Sequence, residues 1–294
     1  MTLQQYEIFD RVVVLQNITN AAEELNISQS GISHAIKSLE RDLNVQLLIR
    51  KRTGVALTPE GNEIHKHIKE VLQANQRLIE EANALNKLIT GTVRVGTFTT
   101  VTTHWMPKIL KFFKENYPDI NIKLVEGDYQ SLEDGVYKGD LDCCFTVQSE
   151  KKLIPFTPLK SDILYCIVSN EFGLNNYDKI TIDQIKQYPL IKPTKGWDYE
   201  IMNYFRKNNI KPSIAYEVSD DQSIIALVQA GLGINIRPGL VLTDKPQNIT
   251  ILNLENEAHR TIGIGTAKYS SHATNKFIEV VKWFKENGKF DYNF

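Results

Sequence analysis

Between Pro59 and Ile89 the chain has no second proline. It sets Ile64, Ile68, Val71, Asn75, Leu78, Ala82, Leu85 and Ile89 at alternating spacings of four and three. A narrow stripe of that period is the seam along which two helices supercoil, whereas a helix lying on a globular core carries a broader apolar face. The spacing predicts a long helix that pairs with a second copy of itself, giving a homodimer. Pro59 suits the first helical turn, Thr58 can cap it, and Thr90-Gly91-Thr92 breaks it. Asn75 is the polar exception, suited to fixing register. This linker, residues 59–90, divides a small leading domain, 1–58, from a trailing one, 91–294.

Composition narrows the class. The chain has 294 residues, 42% of them apolar and 23% charged, too apolar for disorder and too polar for a membrane protein. Lys and Arg total 34 against 35 Asp and Glu, so any basic surface must be local. Cys143, Cys144 and Cys166 are too few for a disulfide scaffold and lack zinc-ligand spacing. They read as buried reduced thiols in strands, with redox sensing as the lesser alternative. No basic start followed by an apolar stretch suggests a signal peptide, and no apolar run is long enough to span a membrane. A cytoplasmic location without membrane association is expected.

In the first sixty residues, Leu3, Tyr6, Phe9 and Val13 recur at helical spacing. Thr19 is a candidate cap for a short second helix containing Ala21, Ala22 and Leu25. Asn26-Ile27-Ser28 reads as a turn, and Ser28 can cap a third helix in which Ile32, Ile36, Leu39 and Leu43 share one face. The opposite face carries Gln29, Ser30, Ser33, His34 and Lys37. A short helix, a tight turn and a longer helix with a polar outer face form the helix-turn-helix arrangement. Small Ala21 and Ala22 allow a close helix crossing, and Gly31 and Ser33 allow close approach to a major groove. Gln29 can hold a base edge through two hydrogen bonds, and Ser33 and His34 can reach bases or phosphates. Leu47 to Thr58 reads as a two-stranded wing with a Thr53-Gly54 tip. Its Arg50, Lys51 and Arg52 form the densest basic run in the chain, suited to phosphates.

This stretch resembles the LysR-type transcriptional regulators. The matching residues are Thr19, Ala21, Ala22, Leu25, Ser28, Gln29, Ile32, Ser33, Ile36, Leu39, Glu40 and Leu43, followed by Leu47, Arg50, Leu57, Thr58 and Gly61. Ser30-Gly31 stands where the family has Pro-Ala, Asn44 replaces a glycine, Leu48 replaces a phenylalanine, and Thr53 stands where many members have arginine. The resemblance implies double-stranded DNA as partner, read at a pseudo-palindromic promoter site. It also implies dimerisation through the linker helix, a homotetrameric assembly and contact with RNA polymerase. Thr19, Ser28, Gln29, Ser30, Ser33, His34, Lys37, Arg50, Lys51 and Arg52 are the expected DNA-binding set.

Beyond residue 90, strand-like and helix-like segments alternate, which predicts α/β layers around largely parallel sheets. Trp105-Met106-Pro107, Leu110, Phe113, Tyr117-Pro118, Glu126-Gly127, Gly139, Leu141-Asp142 and Gly231-Leu232-Gly233-Ile234 leading to Pro238 resemble the LysR-type effector-binding domain. That resemblance implies a periplasmic-binding-protein-like α/β fold with a ligand cleft between two subdomains. One would span about 92–160 and 266–294, the other about 161–265. The whole chain is thus expected to join a winged helix-turn-helix domain, a dimerisation helix and a two-subdomain α/β effector domain.

In open α/β sheets, ligands sit beyond the carboxyl ends of strands. Thr97-Phe98-Thr99-Thr100-Val101-Thr102-Thr103 follows a strand and is rich in hydroxyls; it matches the family's effector loop. Thr97, Phe98, Thr99, Thr100, Val101, Thr146, Pro193, Thr194, Lys195, Ser219 and Asp220 are the candidate effector residues, with turns and caps as the alternative for several. Lys192, Lys195 and Arg237 can supply positive charge or simply be solvated. A small polar or anionic effector fits the hydroxyls, Asp220 counts against an anion if it faces the ligand, and Phe98 and Trp197 equally suit an aromatic one.

No nucleophile elbow, phosphate-binding loop or dinucleotide fingerprint is present, and His65 and His67 sit two apart on a helix, the wrong spacing for a metal pair. No enzymatic activity, cofactor or metal is expected. The alternative to a regulator is a solute-binding protein whose leading segment serves only assembly.

Overall fold

The computed structural model describes residues 1–51, 54–85, 90–149, 153–243 and 246–291. The chain divides into two compact units, Met1–Leu88 and Ile89–Phe294.

The first unit contains α1 (Leu3–Leu15), α2 (Ile18–Leu25), α3 (Gln29–Leu43), β1 (Leu48–Lys51), β2 (Gly54–Leu57) and α4 (Pro59–Leu85). Thr2 opens α1 with a capping box closed by Gln5. Asn17, not Thr19, caps α2: its extended backbone lets Oδ1 accept from the amides of Thr19 and Asn20 at 2.8 and 3.3 Å. Thr19 is therefore a residue of the first turn, and its hydroxyl is left for another partner. Asn26 takes a left-handed conformation (φ 53°) that ends α2. Ser28 then caps α3 by accepting from Gly31 N–H at 3.1 Å. Asn44 ends α3 in the same left-handed way (φ 54°), the conformation asparagine tolerates best after glycine.

Ile8, Val12, Ala21, Ala22, Ile32, Ile36 and Val55 form one cluster beneath the three helices. Phe9, Leu39, Leu47 and Ile68 form a second, with Ile64 and Leu72 packed against it. The leading part of the α4 stripe thus lies on its own domain, which corrects the expectation of a continuous pairing seam. The cause is the tight entry into α4. Thr58 Oγ1 accepts from Gly61 N–H at 2.8 Å and donates to the Gln46 carbonyl at 2.7 Å. A Cβ on Gly61 would stand 2.1 Å from the Leu47 carbonyl. Buried His65 adds a 2.7 Å bond to Asp10 on α1. Further along, Val71, Leu78 and Ile79 are exposed. The last two seam positions give nothing to compare: the side chain of Leu85 and residue Ile89 lie outside the described residues.

β1 and β2 pair antiparallel, Leu48 opposite Leu57 and Lys51 opposite Gly54. Gly54 sits at φ +138°, where a Cβ would come within 2.2 Å of the Gln16 carbonyl. Val55 N–H donates to that same carbonyl at 3.0 Å. The wing is thereby pinned to the end of α1. Arg52 and Thr53 lie outside the described residues.

The second unit begins with β3 (Gly91–Thr97), α5 (Thr99–His104), α6 (Met106–Asn116), β4 (Ile120–Glu126), α7 (Tyr129–Tyr137) and β5 (Cys143–Val147). It continues with β6 (Phe156–Ser169), β7 (Lys179–Ile180), α8 (Ile182–Ile185), β8 (Leu190–Pro193), α9 (Tyr199–Lys207), β9 (Ile214–Val218) and α10 (Asp221–Gln229). It closes with β10 (Asn235–Pro238), β11 (Ile249–Leu254), β12 (His259–Thr266) and α11 (His272–Glu286). β3 runs parallel to β4 and β5, and β8 runs parallel to β9. The pairings of β12 with β5 and β6, and of β10 and β11 with β6, are antiparallel. The sheet is therefore mixed, where the sequence suggested largely parallel strands. β6 is the reason. Its first half pairs with β12 and its second half with β10 and β11, so those later strands return along it in the opposite direction.

β6 also links separate cores. Leu159 belongs to a cluster built on Val95, Phe113, Phe145 and Phe277, together with Ile262 and Ile264 of β12. Leu164, Cys166 and Val168 belong to another, with Ile180, Tyr204, Phe205 and Ile236. The three cysteines are buried in β5 and β6. Burial pushes the thiols of Cys143 and Cys166 up, away from the reactive thiolate form. Among the described residues, no helix is long and apolar enough to cross a membrane, and no cluster of His, Cys, Asp or Glu has the makings of a metal site.

Candidate nucleic-acid interface and ligand cavity

α3 separates its two faces sharply. Ile32, Ile36 and Leu39 are buried, while Gln29, Ser30, His34 and Lys37 are exposed. Ser33 is half-buried beside Ile32, so it borders the outer face rather than crowning it. Gly31 also fits tight local packing: a Cβ there would stand 2.9 Å from Ile27 Cγ2 and 3.1 Å from the capping Ser28 Oγ. Ser28 Oγ also lies 3.0 Å from Ser30 Oγ. Gln29 donates its amide to the Thr19 hydroxyl at 2.7 Å, which holds the first side chain of α3 against α2. Arg50 and Lys51 are exposed on the wing.

In the second unit a cavity of about 200 Å³ opens between segments drawn from both cores. Phe98, Thr99, Thr100 and Tyr129 come from the first half of the unit. Pro193, Trp197, Glu200, Ile201, Ser219, Asp220, Asp221, Ile236, Arg237, Pro238 and Val241 come from the second, and Arg260 from β12. The rings of Phe98 and Tyr129 meet edge to face at 5.0 Å, and Trp197 lies 6.2 Å from Tyr129.

Two buried guanidinium groups dominate the electrostatics. Arg260 bonds to fully buried Asp162 at 2.8–2.9 Å and donates to the Tyr129 hydroxyl at 3.0 Å. Its head lies 5.5 Å over the Phe98 ring. Asp162 also accepts from Leu240 N–H at 3.1 Å. Tyr129 shares a side-chain hydrogen bond with Glu200. Burial pushes the Glu200 carboxyl up from its ordinary range, and the Arg260 charge opposes this. Arg237, 3% exposed, pairs with Asp221. Glu200 Oε1 and Arg237 Nε are buried with no hydrogen-bond partner. A second hollow, about 490 Å³, shares Glu200 and Arg260 with the first and is otherwise lined mainly by polar side chains such as Gln148, Asn203 and Asn256.

Of the eleven candidate effector residues, the structure brings Phe98, Thr99, Thr100, Pro193, Ser219 and Asp220 to this cavity. It places the others elsewhere. Thr97 is buried with its hydroxyl 3.2 Å from that of Thr102, and Val101 is in the main core. Thr102 and Thr103 return their hydroxyls to helix carbonyls, so the threonine-rich run is largely self-satisfied. Thr146 donates to buried Glu133 at 2.7 Å. Thr194 shapes a turn through Val218 and Trp197, and Lys195 is exposed on that turn. Asp220 lines the cavity and also caps α10; the Ser223 amide and hydroxyl hold its carboxyl below the usual range. Lys192 is committed to Asp198 and Glu217 at 2.9 and 3.0 Å. Arg237, for which the sequence allows either a ligand or solvent, is buried. Tyr129, Glu200, Asp162 and Arg260 escaped sequence reading altogether, since each is an isolated polar residue in an ordinary helix or strand pattern.

A family model described as the LysR substrate binding domain matches residues 86–284, and one described as the lysR-family bacterial regulatory helix-turn-helix protein matches residues 3–62. The chain belongs to the LysR family of transcriptional regulators. This LysR-type regulator is a DNA-binding protein with an effector-binding domain and is not an enzyme. It is 27% identical to the uncharacterized HTH-type transcriptional regulator YvbU of Bacillus subtilis, over 96% of this chain and 98% of that one. To YoaU of the same organism it is 29% identical, again over 96% and 98%. Among solved structures, a full-length OxyR variant from Pseudomonas aeruginosa matches with a TM-score of 0.79 at 22% identity, covering 96% of this chain and 93% of that one. Full-length CbnR complexed with its target DNA matches with a TM-score of 0.67 at 22% identity, covering 96% and 99%. The effector binding domain of QuiR in complex with shikimate matches 67% of this chain and 98% of that one, with a TM-score of 0.62 at 24% identity. At these identities the structural likenesses speak to the fold.

Proposed function

We propose that this LysR-type regulator binds a pseudo-palindromic promoter site as a homodimer and that a small molecule in the 200 Å³ cavity changes how it does so. Gln29, Ser30, Ser33, His34 and Lys37 read or position the duplex from α3, Thr19 and Ser28 support them, and Arg50, Lys51 and Arg52 hold phosphates. The observation that carries this reading is the two-faced α3, apolar where it meets α1 and α2 and polar where it meets solvent. Exposed Val71 and Leu78 supply an apolar stripe for pairing through α4. Two-fold pairing sets half-sites about 34 Å apart or a multiple of it. A pair of dimers forms the tetramer, contacts RNA polymerase and works in the cytoplasm, where the DNA is.

The effector stands between segments of both cores, so its binding favours one relative placement of the two halves, and that bias passes to the spacing or bend of bound DNA. Thr99, Thr100 and Ser219 bring hydroxyls to the cavity, beside its two arginines and its carboxylates. Footprinting of upstream DNA tests the reading. Wild type protects a pseudo-palindromic site, and Ser33→Arg or Arg50→Ala abolishes protection; undiminished protection by both variants removes α3 and the wing from DNA contact.

A further inference from the structure

The cavity's charges do not suit a simple anion. Arg237 and Arg260 are its cations, yet Arg237 already pairs with Asp221 and Arg260 with Asp162. Asp220 and Glu200 also stand on the lining and must share these same arginines, Arg237 acting on Asp220 and Arg260 on Glu200. A bare carboxylate entering this space meets at least as much negative charge as positive. A bare amine meets two guanidinium groups.

The hydrogen-bond inventory points to a ligand that carries both signs. Glu200 is 8% exposed and Arg237 3% exposed, and both face the same cavity. Glu200 Oε1 is an unused acceptor, and Arg237 Nε is an unused donor. Buried polar atoms are almost always paired in a folded protein, and leaving one unpaired costs roughly 1–3 kcal/mol. One orphan of each kind on one lining calls for a molecule with an acceptor at one end and a donor at the other. Glu200 also borders the second hollow, but Arg237 does not, so of the two only the first cavity offers both. Its volume, about 200 Å³, lies below the roughly 300–1,000 Å³ of drug-sized ligand sites.

We infer that the effector is a small zwitterion of the amino-acid type, its carboxylate on Arg237 and its ammonium on Glu200. This rests on the reading of the cavity as the effector site. Thr99, Thr100 and Ser219 hydroxyls supplement the carboxylate end, and Trp197 with Tyr129 walls the carbon skeleton. The protonation of Glu200 adjusts to the guest: an ammonium group beside it restores the ionised carboxylate that burial disfavours.

The test uses the full chain, with thermal shift and Trp197 fluorescence as readouts and Trp197→Phe as the fluorescence control. The probes are α-, β- and ω-amino acids, each paired with its deamino carboxylic acid and its decarboxylated amine. At least one amino acid is expected to raise the melting temperature and change the Trp197 signal, while its two partial analogues bind more than roughly tenfold more weakly. Glu200→Gln, which keeps the side-chain shape, is expected to erase the preference for the amino acid over its deamino acid. A deamino acid that binds as tightly as its parent overturns the zwitterion, as does an unchanged preference in Glu200→Gln. Binding by carboxylic acids alone, with the Trp197 signal, overturns it but leaves the cavity as effector site; silence from every probe overturns it and counts against the cavity as well.

Discussion

Gln29, the first residue of α3, donates its side-chain amide to the hydroxyl of Thr19 on α2 at 2.7 Å. One donor is thereby spent inside the protein, while Gln29 remains exposed. A side chain held in advance loses less freedom on meeting a base edge. Gln29→Ala is expected to relax discrimination at one base pair by about 1–3 kcal/mol. Thr19→Val should produce part of that loss with no change in melting temperature. Competition gel shifts against a set of singly mutated operators measure both.

Leu78 is 68% exposed on α4, on the same stripe as Val71. The proposed homodimer seats Leu78 against a partner helix. Leu78→Glu is expected to raise the dimer dissociation constant by more than roughly tenfold, since burying an unpaired carboxylate costs more than the apolar burial it replaces. Sedimentation across a concentration series reads the change, and circular dichroism should show the helix content intact.

Asp162 is fully buried against Arg260. Removing one member of a buried pair leaves the other charged without compensation, at a cost of about 3–5 kcal/mol. Asp162→Ala is therefore expected to lower the urea midpoint of the second unit markedly. Asp162→Leu combined with Arg260→Met, which removes both charges, should recover much of the loss. Equal loss in the single and double variants would show that shape, not charge, decides this position.

Glu200 gives a pH dependence of defined sign. Burial raises its pKa in the folded chain, and Arg260 opposes the shift. Between the ordinary carboxylate value and that raised value, the folded chain binds more protons than the unfolded one, so stability gained at low pH is lost as pH rises through the window. Its steepest contribution is about 1.4 kcal/mol per pH unit. In Glu200→Gln this component vanishes. Urea midpoints measured as the pH falls should move in favour of wild type relative to the variant, and a relative move toward the variant contradicts the assignment.

The two sites differ in how far the sequence shows them, and the reason is distance along the chain. The helix-turn-helix elements lie within a few turns of one another, and caps such as Ser28 to Gly31 act across three residues. Asn17 and Thr19, two residues apart, are both good capping types, and only the backbone conformation selects Asn17 to cap α2. At the cavity, a position just after a strand signals Thr99, Thr100 and Ser219, but the same signal takes in Thr97 and Thr146, whose hydroxyls are used internally. The Arg260 bond to Tyr129 spans 131 residues, and no periodicity along the chain announces it.

The amino-acid order by itself determined the local matters: the amphipathic helices, their spacing and turns, the wing and the long apolar stripe of α4. These follow from periodicity and backbone preference, which act between residues a few positions apart. Tertiary structure decided how much of that stripe is spent on the protein's own core, why the sheet is mixed, and which charges share a cavity. Those outcomes depend on β6 passing from one core to the next and drawing later strands back along it, which brings remote side chains within hydrogen-bond reach.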